Sequence, residues 1–297
     1  MVNTMLQISK LDSPATRLLS WSDKHLQRAK GVCRIAVGGS ENGNKIVDVF
    51  QQSPLRVIFP RIDGATAKEA VLINTGGGIA GGDRLECSVT AVASASIAVT
   101  SQTAERVYRA LDQPARIMTK LRVGDGAKLA WFPHETIVFN WARLHRETEV
   151  EISSGSELVA LEWLVFGRAA HGEQMVGGEI RDSWRVKKQG RLIWADTLRF
   201  SAEVFPHLNR KALLSNCKAI ATLIYFGPEL DKRLELLREI SRSLGCLCAA
   251  TSVAGLIIVR VAAEESSTLK LALRGLLQQL GPEFADGPFR VPKMWSC

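Results

Sequence analysis

The sequence lacks most of the local patterns that identify common enzymes and metal proteins. Its six cysteines contain no Cys-x-x-Cys pair, so it predicts neither a zinc knuckle nor a disulfide framework. No two of its five histidines stand four residues apart, the spacing that places two metal ligands on one helix face. A Gly-x-Ser-x-Gly nucleophile elbow is also missing. An enzyme would therefore lack a recognisable catalytic constellation in this sequence.

Long apolar runs are missing too. The first twenty residues contain Lys10, Asp12 and Arg17 and no apolar core, so no secretion signal is predicted. The uncharged stretch 87–104 includes eight Ser, Thr or Gln residues and is too polar for a membrane span. We therefore expect a soluble, cytoplasmic protein that does not bind a membrane.

The composition is that of an ordinary globular protein with a basic charge. The 297 residues are 46% hydrophobic and 23% charged, and we expect one domain that covers residues 1–297. The net charge is +8, and the main local run of basic residues comprises Arg106, Arg109, Arg116, Lys120 and Arg122. Because no helix-turn-helix, zinc finger or RNP motif accompanies this charge, it predicts a solvated or partner-facing surface and no binding of nucleic acid.

The first three quarters of the chain show the pattern of β-strands. Apolar and polar residues alternate from Arg116 to Val123, and the turn residues 124–126 lead into a second β-like run at 128–132. The same strand-turn-strand pattern recurs at 149–166 and at 183–198. This spacing predicts a large, mainly antiparallel β architecture built from hairpins.

The last quarter changes to a helical period. Leucine and isoleucine recur every three or four residues after Pro228 and again before Gly281, which predicts amphipathic helices at about 228–244 and 267–280. The apolar run 255–261 between them predicts a buried strand. The expected fold class is therefore mainly β, with two α-helices near the C-terminus.

A glycine cluster follows the strand-like run that ends at Asn74. Gly76, Gly78 and Gly81 satisfy the spacing G-x-G-x-x-G, but a dinucleotide site also needs a helix next, and the residues after Asp83 alternate like a strand. We therefore favour a tight structural loop in which two backbones approach closely, made of Gly76, Gly77, Gly78, Gly81 and Gly82. A dinucleotide-dependent enzyme is the alternative, and a helix after the glycines would support it.

Three acids stand where a carboxylate needs a partner. Asp83 ends the glycine cluster, and Glu162 and Asp196 each interrupt an apolar run. A charge among apolar neighbours must be paired, solvated by internal water or neutralised. Glu162 and Asp196 are therefore either functional or part of a salt bridge or an exposed strand face. Asp83 is either functional or a turn residue that caps its own backbone.

Several longer motifs resemble the urease accessory protein UreD (UreH) family. They are Gly76–Asp83 (GGGIAGGD), Ser101–Arg109 (SQTAERVYR), Trp131–Ile137 (WFPHETI), Phe166–Glu173 (FGRAAHGE) and Arg290–Trp295 (RVPKMW), with Pro54–Pro60 (PLRVIFP) as an early Pro-Leu segment. They stand in family order between about residues 51 and 295. The resemblance implies a large, two-layer, right-handed superhelical β architecture with two α-helices.

The same resemblance implies a scaffold in urease maturation that has no catalytic activity. Members of the family bind UreF and, through it, the GTPase UreG, and the assembly docks on apo-urease. Their proposed role is to conduct Ni²⁺ through an internal, water-filled passage to the urease active site. The missing Cys/His cluster agrees with this role, because a tight nitrogen and sulfur site would trap an ion that must move on.

The resemblance also assigns passage carboxylates to positions in this chain. Asp83, Glu162 and Asp196 match the family acids, and Glu105 matches a position where relatives carry Ser, a departure that weakens its assignment. His134 stands where relatives often have Gln, so the resemblance gives it no nickel role. A β-rich adaptor without any metal role is the remaining alternative.

Overall fold

Strands dominate the part of the chain that the structure describes. This computed structural model describes residues 27–40, 43–61, 67–168, 171–280 and 290–296, so the first twenty residues and their predicted lack of a secretion signal lie outside it. The strands are β1 (Lys30–Ser40), β2 (Gly43–Gln52), β3 (Leu55–Ile58), β4 (Lys68–Asn74), β5 (Arg84–Ala91), β6 (Ser96–Ser101), β7 (Glu105–Val107), β8 (Ala115–Val123), β9 (Lys128–Phe132), β10 (Thr136–Val138), β11 (Arg143–Ile152), β12 (Glu157–Phe166), β13 (Glu179–Lys188), β14 (Arg191–Phe200), β15 (Ala219–Phe226), β16 (Leu247–Val253) and β17 (Leu256–Ala263). The helices are α1 (Leu230–Ser243) and α2 (Ser266–Gln279), with short 3₁₀ turns at Phe205–His207 and Lys293–Ser296.

The strands form two sheets. A seven-stranded sheet has the order β14-β13-β11-β8-β5-β1-β2, and a ten-stranded sheet has the order β16-β17-β15-β12-β9-β6-β4-β3, with β10 beside β12 and β7 beside β10. The middle strands are parallel in both sheets: β1, β5, β8, β11 and β13 in one, and β4, β6, β9 and β12 in the other. Antiparallel pairs lie toward the ends of the sheets.

The parallel strands arise because the chain alternates between the two sheets and so builds stacked coils. β8 belongs to the seven-stranded sheet, and β9, directly after the turn 124–127, belongs to the ten-stranded sheet. The turns of successive coils are hydrogen-bonded: the Gly124 N–H donates to the Ala91 carbonyl (2.8 Å), and the Ser153 N–H donates to the Val123 carbonyl (3.0 Å).

The prediction of a mainly antiparallel architecture was therefore wrong for this region. A tight turn between two alternating strands is compatible with a hairpin, but here it carries the chain from one sheet to the other. The hairpin expected at 183–198 is present, because β13 and β14 pair antiparallel. The mainly β fold class, with two layers and two C-terminal helices, is confirmed.

The main core lies between the sheets and follows from the alternation of residues along the strands. Every second residue of β11 is buried, and the same holds for β5. The inward side chains of both sheets form one hydrophobic cluster, which includes Val89 and Leu121 from one sheet and Leu129 and Ile224 from the other. A polar residue at an inward position must therefore find its partner inside this layer.

The helices cover the outer face of the ten-stranded sheet. Leu237 of α1 and Leu273 of α2 are fully buried in a second cluster with Leu161 and Tyr225 of that sheet. Both helices begin and end close to their predicted bounds, and the predicted buried strand is β17. Within the described ranges, neither helix has the length and apolar character of a membrane-spanning helix.

Candidate functional site

The glycine cluster forms a loop between β4 and β5 that has little room for side chains. A Cβ on Gly78, whose φ is +154°, would overlap the Tyr108 ring, and a Cβ on Gly81 would lie 2.6 Å from a backbone oxygen of a neighbouring loop. The strand β5 follows the loop, so the helix that a dinucleotide site requires is not at this position. The other glycines of the cluster lie in the same loop: Gly76, Gly77 (φ +72°) and Gly82 (φ +88°).

Asp83 closes this loop through bonds to the backbone. Its Oδ1 accepts a hydrogen bond from the Ala29 N–H and its Oδ2 accepts one from the Ala80 N–H, both at 2.8 Å. The residue is buried. The carboxylate thus joins the start of β1 to the glycine loop, as expected for a structural turn residue.

A buried ionic cluster lies between the two sheets. Arg146 on β11 forms a bidentate salt bridge with Asp182 on β13, with Nε–Oδ1 and Nη2–Oδ2 distances of 2.9 and 2.7 Å. Its Nη1 also donates to Glu162 Oε2 on β12 at 2.7 Å and to Thr136 Oγ1 at 3.1 Å. Burial alone lowers the pKa of Arg146, but attraction to Asp182 and Glu162 outweighs it, so the net shift is upward and the guanidinium stays charged.

Glu162 is the one member of this cluster that the sequence predicts as a site residue. Its second oxygen, Oε1, accepts a hydrogen bond from the Trp131 indole at 2.8 Å, so both donors to this carboxylate among the described residues are side chains. Burial raises the pKa of Glu162 even though Arg146 opposes the shift. The ionised form is therefore less favourable here than in water.

Asp196, on β14, is more exposed than the residues of the buried ionic cluster. It forms a salt bridge with Arg260 on β17, and Arg260 also donates to Thr222 on β15. The Asp196 side chain is 34% exposed. A cavity of about 600 Å³, which we call the outer cavity, is bordered by Asp196, Arg260, Asp182 and Glu162. Asp196 is therefore close to solvent, whereas Glu162 is buried between the sheets.

A second, smaller space lies on the other side of Glu162. This inner cavity has a volume of about 90 Å³ and is bordered by Glu162, Arg146, Glu105 and His134. Glu105 on β7 accepts a hydrogen bond from the Asn74 amide at 2.9 Å, and burial raises the pKa of Glu105. Glu162 is the residue that borders both cavities.

The inner cavity also contains softer donor groups, but they do not form a metal cage. His134 stacks on Trp295 at 5.7 Å, and its Nε2 has no hydrogen-bond partner among the described residues. Cys87 borders the cavity and faces Cys33 across two parallel strands; their hydrogen bond, together with burial, raises the pKa of Cys87. In the ranges that the structure describes, no three His, Cys, Asp or Glu side chains are grouped so that they could hold a metal ion.

Sequence reasoning missed Arg146 and Asp182, although a signal for both was present. In β11 the inward residues are Leu144, Arg146, Thr148, Val150 and Ile152. In β13, Asp182 takes an inward position between Ile180 and Trp184. A charge in register with buried neighbours on an alternating strand indicates an internal partner. That signal could have found both residues, but not the pairing between them.

Comparisons with known proteins agree with the motifs in the sequence. The family model described as "UreD urease accessory protein" matches residues 29–296. The match therefore begins before the sequence motifs, which start at about residue 51, and it includes β1. Urease accessory protein UreD of Methylobacterium sp. (strain 4-46) is 38% identical over 283 residues, which cover 93% of this chain and 97% of that protein. Urease accessory protein UreD of Agrobacterium fabrum is 36% identical over 270 residues, which cover 91% of this chain and 92% of that protein. The chain therefore belongs to the UreD family of urease accessory proteins.

Proposed function

We propose that this chain is a non-enzymatic scaffold in urease maturation and that it conducts Ni²⁺ through its interior. It binds a UreF-like protein and, through it, a UreG-like GTPase, and the assembly docks on urease apoprotein in the cytoplasm. Nickel is the cargo and passes through without staying, and no cofactor is tightly bound. The family membership supports the urease-related part of this proposal.

The observation that carries the nickel proposal is the position of Glu162 between two cavities. The outer cavity reaches from half-exposed Asp196 to Glu162, and the inner cavity continues from Glu162 to Glu105. Carboxylates therefore follow one another from the surface into the layer between the sheets. We propose that Asp196, Asp182, Glu162 and Glu105 mark the route of the ion.

The chemistry of these groups suits an ion that must move on. Carboxylate oxygens hold a divalent ion such as Ni²⁺ together with part of its water shell, whereas thiolate and imidazole clusters bind it more tightly. A dication that enters a low-dielectric interior also needs negative charge along its way. Spaced acids meet both requirements, because each offers charge and none completes a closed site.

Arg146 pairs with the acids of the proposed route when no nickel is bound. While no metal ion is present, the guanidinium neutralises part of the charge of Asp182 and Glu162, which keeps the buried acids compatible with folding. An entering Ni²⁺ competes with Arg146 for the same oxygens. Glu162 is the easier of the two acids to free, since it shares only one hydrogen bond with Arg146 and Asp182 shares two.

Asp83 has a different role in this proposal. Both of its oxygens are occupied by backbone N–H groups. We propose that Asp83 holds the glycine loop and that its effect on nickel transfer is indirect.

The alternative is an adaptor in which the buried cluster has only a structural role. The bidentate Arg146–Asp182 pair favours this alternative, because the guanidinium already binds both oxygens of Asp182 and balances its charge. The two proposals differ in what a neutral, equally large side chain does to urease activation.

Co-expression with urease and its accessory proteins tests the proposal. We expect Glu162→Gln/Asp196→Asn to retain folding and co-purification with the UreF-like protein and urease, while urease activation falls. The matched control is Glu149→Gln/Glu203→Gln, which removes the same charge from positions away from both cavities. Full activation with the first variant would contradict the passage, and loss of activation together with the complex would favour the adaptor.

A further inference from the structure

The outer face of the seven-stranded sheet carries a row of basic side chains. Lys30 on β1 pairs in register with Arg84 on β5, and Arg84 pairs with Arg116 on β8. The same register line continues from Arg116 to His145, Arg181 and Arg199 on β11, β13 and β14. We call these six residues the basic row. The sequence could not reveal it, because its members come from six strands that are distant along the chain.

The basic row is accessible and largely free of acidic partners. Its five Lys and Arg members are exposed, and the half-buried His145 is bonded to Glu179 at 2.7 Å. Among the described residues, none of those five makes a salt bridge. Adjacent strands lie about 4.8 Å apart, so the row extends for roughly 24 Å across the sheet. Like charges at this spacing repel each other and favour an anionic partner.

The row also borders a groove. Five of its members, all except Arg199, border a depression of about 390 Å³ on this face. The next register line along the strands carries Glu86 and Glu147, which are already paired with Lys120 and Arg185. These two acids are already neutralised, so they leave the charge of the basic row uncompensated.

We propose that the basic row docks an acidic segment of a protein partner. The chemistry required of the partner is a line of Asp or Glu side chains about as long as the row. A nucleic acid fits less well, because neither the row nor the register line beside it contains a Phe, Tyr or Trp on which bases could stack. Glu86 and Glu147 would also face the broad phosphate backbone of a duplex.

The test uses the full chain and two double variants on the same pair of strands. Arg116→Glu/Arg181→Glu reverses two charges at the centre of the row. Arg122→Glu/Lys187→Glu reverses two charges on the same face, six residues farther along each strand. Both variants change the net charge equally, and both alter accessible side chains, so thermal unfolding should show that each is folded.

The probe is a fluorescein-labelled peptide of about eight glutamates, long enough to follow the row when extended. Anisotropy at about 150 mM salt should show that the row variant weakens binding at least tenfold, about 1.4 kcal/mol, while the control variant changes it much less. Equal weakening by both variants would show attraction to net charge alone and would overturn the proposal. Tighter binding of an oligothymidylate of similar length, lost in the row variant, would also overturn it in favour of nucleic acid.

Discussion

Asp83 and Glu162 are both buried carboxylates that the family resemblance assigns to a nickel passage, yet the structure holds them in different ways. Backbone N–H groups of Ala29 and Ala80 bind both oxygens of Asp83. Side chains of Arg146 and Trp131 bind the oxygens of Glu162. A backbone donor cannot move without moving the loop, whereas a side chain can rotate away. The comparison shows that two equally buried carboxylates can differ in how freely their donors move, and the proposed passage depends on that difference.

The largest expected effect comes from removing the cation between the sheets. Arg146→Met leaves Asp182 and Glu162 without their shared partner in a buried layer, and we expect a loss of about 3–5 kcal/mol in the free energy of unfolding. Urea denaturation measures it, with Arg122→Met on the exposed face as the control. A loss below about 1 kcal/mol would show that water already solvates the cluster.

The glycine loop should be nearly as sensitive. Gly81→Val forces a side chain against a backbone oxygen, and Gly78→Val forces one against Tyr108 at a positive φ, so each should cost about 1–3 kcal/mol or more. Gly245→Val is the matched control, because a Cβ at Gly245 meets no atom within 4 Å. Melting temperatures as high as that of the control would show that the loop adapts.

Neutral variants of Asp83 and Glu162 test the difference between the two acids directly. Asp83→Asn leaves one of two backbone donors facing an NH₂ group, and we expect a loss of about 1–3 kcal/mol. Glu162→Gln also turns an NH₂ group toward one of its two donors, Trp131 or Arg146. Because both donors are side chains that can shift, and Arg146 keeps its bonds to Asp182, we expect a loss below about 1 kcal/mol. The reverse order of stabilities would contradict the distinction between backbone-held and side-chain-held acids.

The smallest expected effect is a pH dependence that belongs to Glu162 alone. Well below pH 4.5, the ordinary glutamic acid pKa, Glu162 is protonated in both the folded and the unfolded chain. At higher pH the unfolded chain loses this proton first, because burial raises the pKa of Glu162 in the folded chain. The free energy of unfolding of the wild type therefore falls, relative to that of Glu162→Gln, as the pH rises toward the raised pKa. Paired denaturation curves from acidic to neutral pH measure this difference, and a constant difference would contradict it.

The local parts of the fold are predictable from the sequence. The alternation at 116–123 and the leucine spacing after Pro228 identify β8 and α1 because each pattern depends only on neighbouring residues. Strand pairing is not local. The turn after β8 has the residues of a hairpin turn, and only the packing of coils decides that β9 enters the other sheet.

The candidate site was predictable only in part for the same reason. The apolar neighbours of Glu162 predict a buried acid that needs a partner, but they do not identify Arg146, which comes from the opposite sheet. Similarly, the glycines around Asp83 predict a close approach of backbones without revealing that Ala29, on a distant segment, donates to the carboxylate. Contacts between sheets or distant segments depend on register, which one sequence does not contain.

The most direct test of the account is the nickel content of urease matured in the presence of each variant, measured per active site by elemental analysis. With Glu162→Gln/Asp196→Asn we expect several-fold less nickel than with the wild type or with Glu149→Gln/Glu203→Gln, although the accessory complex still forms. Nickel occupancy equal to that of the wild type, with the double variant bound in the complex, would contradict the claim that these side-chain-held carboxylates conduct the ion.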